Sequence, residues 1–158
     1  MTQTQTQDRT DASGLADMDG FEQLLAFFDG RLPSAPIAET LGLENFGGER
    51  GAIHVELVPE HRHYNPIGSV HGGVLATLLD TAAACSVHST LAPGERYTSL
   101  DLSVKFLRPV TTDSGRLRGE GSVIQRGRRT ALAAAELYDA HGRLVAHATS
   151  TCMIFPTG

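Results

Sequence analysis

Large apolar side chains are nearly absent from residues 1–17, where Thr and Gln recur instead. Such a segment buries too little surface to offset the entropy of ordering, so a disordered polar tail is expected there, with one folded domain over 18–158. From Met18 the residues Phe21, Leu24, Leu25, Phe27 and Phe28 return near a 3.6-residue period, and Gly30 supplies a stop. That spacing predicts a short amphipathic helix. Pro33 and Pro36 break it, and a brief segment Ile37 to Leu43 leads into GAIHVELVP, where Ile53, Val55 and Leu57 alternate with His54, Glu56 and Val58. The alternation predicts a half-buried strand.

The stretch HGGVLATLLDTAAACSVHST has the length and the Ala and Leu content of a helix of roughly five turns. It is apolar on nearly every face, so something has to wrap it. Strand patterns follow. In Tyr97 to Leu107 the residues Thr98, Leu100, Leu102, Val104 and Phe106 alternate with Ser99, Asp101, Ser103 and Lys105, a period of two. Three more strand-like runs, at 115–125, 130–139 and 144–155, are separated by Thr-Asp-Ser-Gly, Arg-Gly-Arg and Ala-His-Gly. Short turns between strands favour antiparallel neighbours. The expected architecture is α+β, an antiparallel sheet curled around one long central helix.

The 158 residues, 41% hydrophobic and 20% charged, fit a single globular domain. Thirteen Lys and Arg against eighteen Asp and Glu give a net charge of −5, with no basic footprint for nucleic acid or an anionic membrane surface. No apolar run reaches the roughly 18 to 20 residues of a membrane span, because His71 and Asp80 interrupt Val70 to Val87. Two cysteines, Cys85 and Cys152, and no secretory pattern make a cytoplasmic location the expectation.

Asp80 is the one charged side chain on the central helix, with Leu78, Leu79, Ala82, Ala83 and Ala84 around it. A buried carboxylate without a partner costs several kcal/mol, so the position calls for a reason: an ion pair, a route to solvent, or chemistry. His71-Gly72-Gly73 opens the same helix, where free backbone N–H groups favour a developing negative charge. An oxyanion donor plus a carboxylate suits attack on a carbonyl compound, although the glycines also suit a tight junction. Eight residues separate Gly72 from Asp80, or ~12 Å along a helix, too far to serve one carbonyl group. If the two cooperate, antiparallel copies of the helix in a homodimer would bring Gly72 of one chain beside Asp80 of the other. Asn65 could donate an amide N–H or simply hold the turn before Pro66, and Ser99 lies on the polar side of its strand. His61 and His63 lack a third metal ligand at a familiar spacing.

The run N-P-x-G-x-V-H-G-G with an acid nine residues after the histidine, followed by T-S-L-D-L-S-V-K-F-L-R-P-V, resembles the hotdog-fold acyl-CoA thioesterases of the PaaI-like, phenylacetic-acid-degradation type. The resemblance covers about residues 35–155. It implies a hotdog fold with five or six strands around helix 72–89, dimers joined edge to edge, and often tetramers. It implies Asp80 as nucleophile or general base, Gly72 N–H as oxyanion donor, Asn65 and His71 orienting water or thioester, and Ser99 assisting. Gly73 would touch the substrate, and Arg108, Arg126, Arg128 and Arg129 would lie near the coenzyme A phosphates. The acyl group would meet residues near Phe46, Ile67, Leu75 and the 95–100 strand. No redox or metal cofactor is implied, and aromatic and medium-chain acyl groups are both open. A hotdog hydratase or dehydratase and a non-catalytic acyl-CoA-binding module are the alternatives.

Overall fold

The computed structural model describes residues 12–158. The expected tail falls mostly on residues 1–11, outside those described, and its end forms a helical turn, α1 (Ala12–Leu15). The first amphipathic helix is α2 (Gly20–Phe28). Asp19 caps it, accepting from Phe21 N–H and Glu22 N–H while Glu22 accepts from Asp19 N–H, a closed capping box. Pro36 then opens a further short helix, α3 (Pro36–Leu41), which Gly42 ends in the left-handed conformation.

The strands are β1 (Leu43–Glu49), β2 (Ala52–Leu57), β3 (Glu95–Ser99), β4 (Ser103–Phe106), β5 (Leu117–Arg126), β6 (Thr130–Tyr138) and β7 (Leu144–Pro156). All pair antiparallel in one sheet of order β1-β2-β5-β6-β7-β3, with β4 also on β7. The sheet curls around α4 (Gly72–His88), which gives the hotdog arrangement. Seven strands among the described residues replace the five or six expected, for two reasons.

The first is β1, which the apolar pattern does not announce. Its sequence LENFGGE has little β character, and it pairs with β2 only around an irregularity between Glu44 and Gly47, with Asn45 at φ 50°. The second is that 97–107 is two strands. Ser99 pairs with Cys152 and Ser103 with Thr149, so three edge residues stand opposite two on β7. Asp101 fills the gap: its carboxylate accepts from Thr151 N–H, and its carbonyl accepts from Ser150 Oγ. The extra residue reverses the side-chain alternation. Tyr97 and Ser99 therefore face the helix before the bulge and Val104 and Phe106 after it, while Leu100 is 57% exposed.

The helix is not enclosed on all sides, contrary to the apolar pattern. Leu75, Leu78, Leu79, Ala82, Ala83, Ser86 and Val87 are buried against the sheet, whereas Thr77, Asp80, Thr81, Ala84, Cys85 and His88 form a partly buried stripe opposite it. The covered side sits unusually close. A Cβ on Gly121 would lie 2.1 Å from Ala82 O, so only glycine fits where β5 crosses the helix. Ser86 Oγ donates to Ala82 O and accepts from Ile53 N–H, and Ser89 Oγ similarly joins Ser86 O to Gly51 N–H. These buried hydroxyls lock α4 to β2 with their polar atoms satisfied.

Candidate active site

Helical spacing sets Asp80 on the open stripe of α4, and the bulge in the edge strand turns Ser99 towards it. Ser99 Oγ donates to Asp80 Oδ1 at 3.4 Å, a long bond, and also lies 3.9 Å from Cys152 Sγ. Among the described residues no basic side chain pairs with Asp80. Removal from water raises its pKa above the ordinary aspartate value, and the Ser99 hydroxyl offsets only part of that rise. Its titratable neighbours Cys85 and Tyr97 are uncharged at neutral pH. Burial, then the Asp80 charge, pushes the Cys85 thiol up to about 12, which makes it a packing group and a poor nucleophile. The Tyr97 phenol is raised as well, chiefly by burial.

At the other end of α4, His71 is the N-cap, and its Nδ1 accepts from Gly73 N–H at 2.8 Å. The Gly73 donor is thus spent, while among the described residues nothing accepts from Gly72 N–H. Gly72 and Leu75 line a cavity of about 340 Å³ with Phe106 and Arg108. The Phe106 ring packs close to Gly72: an added Cβ there would stand 3.0 Å from it, so the half-exposed ring would have to give by a few tenths of an ångström. Asn65 holds its own turn, with Oδ1 accepting from Ile67 N–H and Ser69 N–H and Nδ2 donating to Ser69 Oγ. One amide hydrogen of Asn65 remains for another partner.

The four arginines separate. Arg108 is exposed beside the Gly72 cavity. Arg126 is committed to the fold, through Glu95 at 2.6 Å, Thr90 Oγ1 and the Gly127 carbonyl. Arg128 and Arg129 stand exposed around a separate surface cavity with Leu100 and Met153. His63 is structural: Nδ1 accepts from Glu60 N–H and Nε2–H donates to Leu41 O. Of the expected acyl neighbours, Ile67 is 89% exposed, whereas Phe46 lines an apolar cavity with α2, α3 and the far half of α4. Sequence reasoning named Phe46 but not the walls from α2 and α3, which come together only when α2 docks through Gly20 N–H to Leu91 O.

A curled antiparallel sheet around one long helix defines a hotdog protein. The sequence profile of the Thioesterase superfamily matches residues 67–146, and the chain belongs to that family. It is 30% identical over 95 residues to the proofreading thioesterase EntH of Klebsiella pneumoniae, a match covering 60% of this chain and 68% of that protein. It is 32% identical over 98 residues to the medium/long-chain acyl-CoA thioesterase YigI of Escherichia coli K12, covering 54% of this chain and 62% of YigI. The phenylacetic acid degradation-related protein of Ralstonia eutropha JMP134 superposes with a TM-score of 0.74 at 35% identity, over 82% of this chain and 97% of that one. Among the described residues no helix is long and apolar enough to cross a membrane.

Proposed function

We propose that the chain is an acyl-CoA thioesterase whose site is completed by two copies of the chain, with Asp80 as general base and the Gly72 N–H as oxyanion donor. The observation that carries this reading is the Asp80 carboxylate: half-buried, without a cation, and held by one long hydrogen bond from Ser99. A structural acid would be neutralised or fully bonded. A carboxylate with a raised pKa is a stronger base and takes a proton from water more readily.

In this mechanism a thioester carbonyl lies between Asp80 of one copy and the N-terminal end of α4 of the other, since ~12 Å separates the two groups within one chain. Asp80 accepts a proton from water as the water oxygen bonds to the carbonyl carbon. The oxygen charge that develops meets the open Gly72 N–H and the positive end of the helix dipole. Collapse breaks the C–S bond, the departing thiolate takes up the proton held by Asp80, and coenzyme A and a carboxylic acid are released. His71 positions the donor by capping the helix, and Asn65 fixes the loop that leads to it. The exposed Arg108 lies on the Gly72 side, where it suits a phosphate of the incoming coenzyme A.

The test is thiol release from a panel of acyl-CoAs by the purified protein, with sedimentation to give its oligomeric state. Hydrolysis by a dimer or larger assembly supports the reading. A monomer with full activity, or consumption of an enoyl-CoA by hydration without thiol release, overturns it. Single turnover in ¹⁸O-water tests the role of Asp80: label incorporated into the Asp80 carboxylate shows that it attacks the thioester and overturns its assignment as base.

A further inference from the structure

We propose that Asp101 is a positioning residue for the reaction: it holds the bulge that keeps the Ser99 hydroxyl on the Asp80 carboxylate. This rests on the reading of Asp80 as general base and adds a residue that acts through Ser99, not on the substrate. Residues 100–102 of the sheet edge stand opposite only Ser150 and Thr151 on β7, and three bonds hold the mismatch. Leu100 N–H donates to Thr151 O at 2.8 Å. Asp101 makes the other two. Thr151 N–H donates to Asp101 Oδ1 at 2.8 Å, where an unbroken ladder would offer a backbone carbonyl. The fully buried Ser150 donates through Oγ to Asp101 O, also at 2.8 Å.

The pattern of the edge itself opposes this arrangement. Val104 packs on the core, and strict alternation back from it would turn Leu102 and Leu100 inward and send Ser99 outward. That register would cover Leu100, now 57% exposed, so apolar burial favours it. It would also set an apolar side chain beside Asp80 in place of its one donor. Against it stand the two Asp101 bonds, because a strand N–H and a buried hydroxyl without acceptors are costly. The outcome is read in Asp80. Ser99 is the one group that lowers the Asp80 pKa against burial. The titratable groups that share its field, Cys85 on α4, Tyr97 on β3 and Cys152 on β7, are all uncharged at neutral pH. Loss of the bulge therefore removes a donor that no neighbour replaces, and the proton is held more tightly.

The experiment titrates the Asp80 carboxylate by ¹³C NMR on protein labelled at aspartate Cγ, with Asp80→Asn to assign its signal. The acid limb of kcat/KM is taken from thiol release on the same samples. Asp101→Ala should move both to higher pH by at least as much as Ser99→Ala does, with kcat/KM on the alkaline plateau within about threefold of the parent's. On the Ser99→Ala background the same substitution should add less than it does to the parent, since the group it works through is gone. Asp101→Asn keeps the Oδ1 acceptor without the charge and should titrate like the parent. Ser150→Ala cuts the carbonyl tie alone and should move Asp80 in the same direction, which decides the matter if Asp101→Ala does not fold. An unmoved Asp80 in Asp101→Ala, an equal shift on both backgrounds, or an Asp101→Asn that behaves like Asp101→Ala overturns the proposal. Failure of both Asp101→Ala and Ser150→Ala to fold overturns it too, because Asp101 then serves the fold and not the site. If no acyl-CoA is hydrolysed but the NMR shifts follow this order, the general-base reading fails and the linkage from Asp101 through Ser99 to Asp80 stands.

Discussion

Asp139, just past the end of β6, is 5% exposed and meets three donors: His141 N–H at 2.9 Å, Arg143 N–H at 3.0 Å and Arg143 Nε at 2.7 Å. Asp80, on the open stripe of α4, meets one hydroxyl at 3.4 Å. Burial raises the pKa of both, but at Asp139 the Arg143 and His141 bonds overcome it and the net shift is downward. The same side chain thus closes a turn in one place and is left with one distant donor in the other. What separates them is the supply of donors, since both are withdrawn from water.

The sharpest way to break this comparison is to neutralise each acid. Asp80→Asn should lower kcat/KM at least about a hundredfold in thiol-release assays while the fold is kept. Its stability should hold or rise at neutral pH. An acid with a raised folded-state pKa binds protons more readily folded than unfolded, so it costs stability as pH climbs through the ordinary aspartate value to the folded one, and the amide escapes that cost. Asp139→Ala should do the reverse, lowering the urea-derived unfolding free energy by about 1–3 kcal/mol with turnover near the parent's. Because the folded pKa of Asp139 is depressed, its contribution is present above the ordinary value and fades as pH falls through the folded one. Urea melts of parent and variant should therefore converge in acid. The smallest effect belongs to Ser99→Ala. It removes the one bond that lowers the Asp80 pKa, so the acid limb of the kcat/KM profile should move to higher pH, with little change in melting temperature.

The long helix, the strands from β5 onward and the unusual setting of Asp80 are legible in the sequence because each rests on local periodicity or on a charge among apolar neighbours. Strict alternation through 100–102 puts Ser99 on the polar side of its strand. The bulge that turns it inward is created by Asp101 replacing ladder partners on β7, fifty residues away in sequence. β1 is hidden because its glycines and the positive φ of Asn45 carry no strand signal, and pairing with β2 imposes the conformation. The open stripe of α4 is hidden for a related reason. Thr81, Ala84 and Cys85 read as core residues, and only the curl of the sheet decides which face it covers.

The seam where Gly121 meets the Ala82 carbonyl has a consequence for how such an enzyme can change. With backbone against backbone, α4 can neither roll nor slide, so the acid on its far side keeps one bearing whatever happens to the surface. The N-terminal helices press on α4 through side chains and a few hydrogen bonds, and there substitutions have room to act. Substitutions should be absorbed in residues 24–46 and refused along that seam.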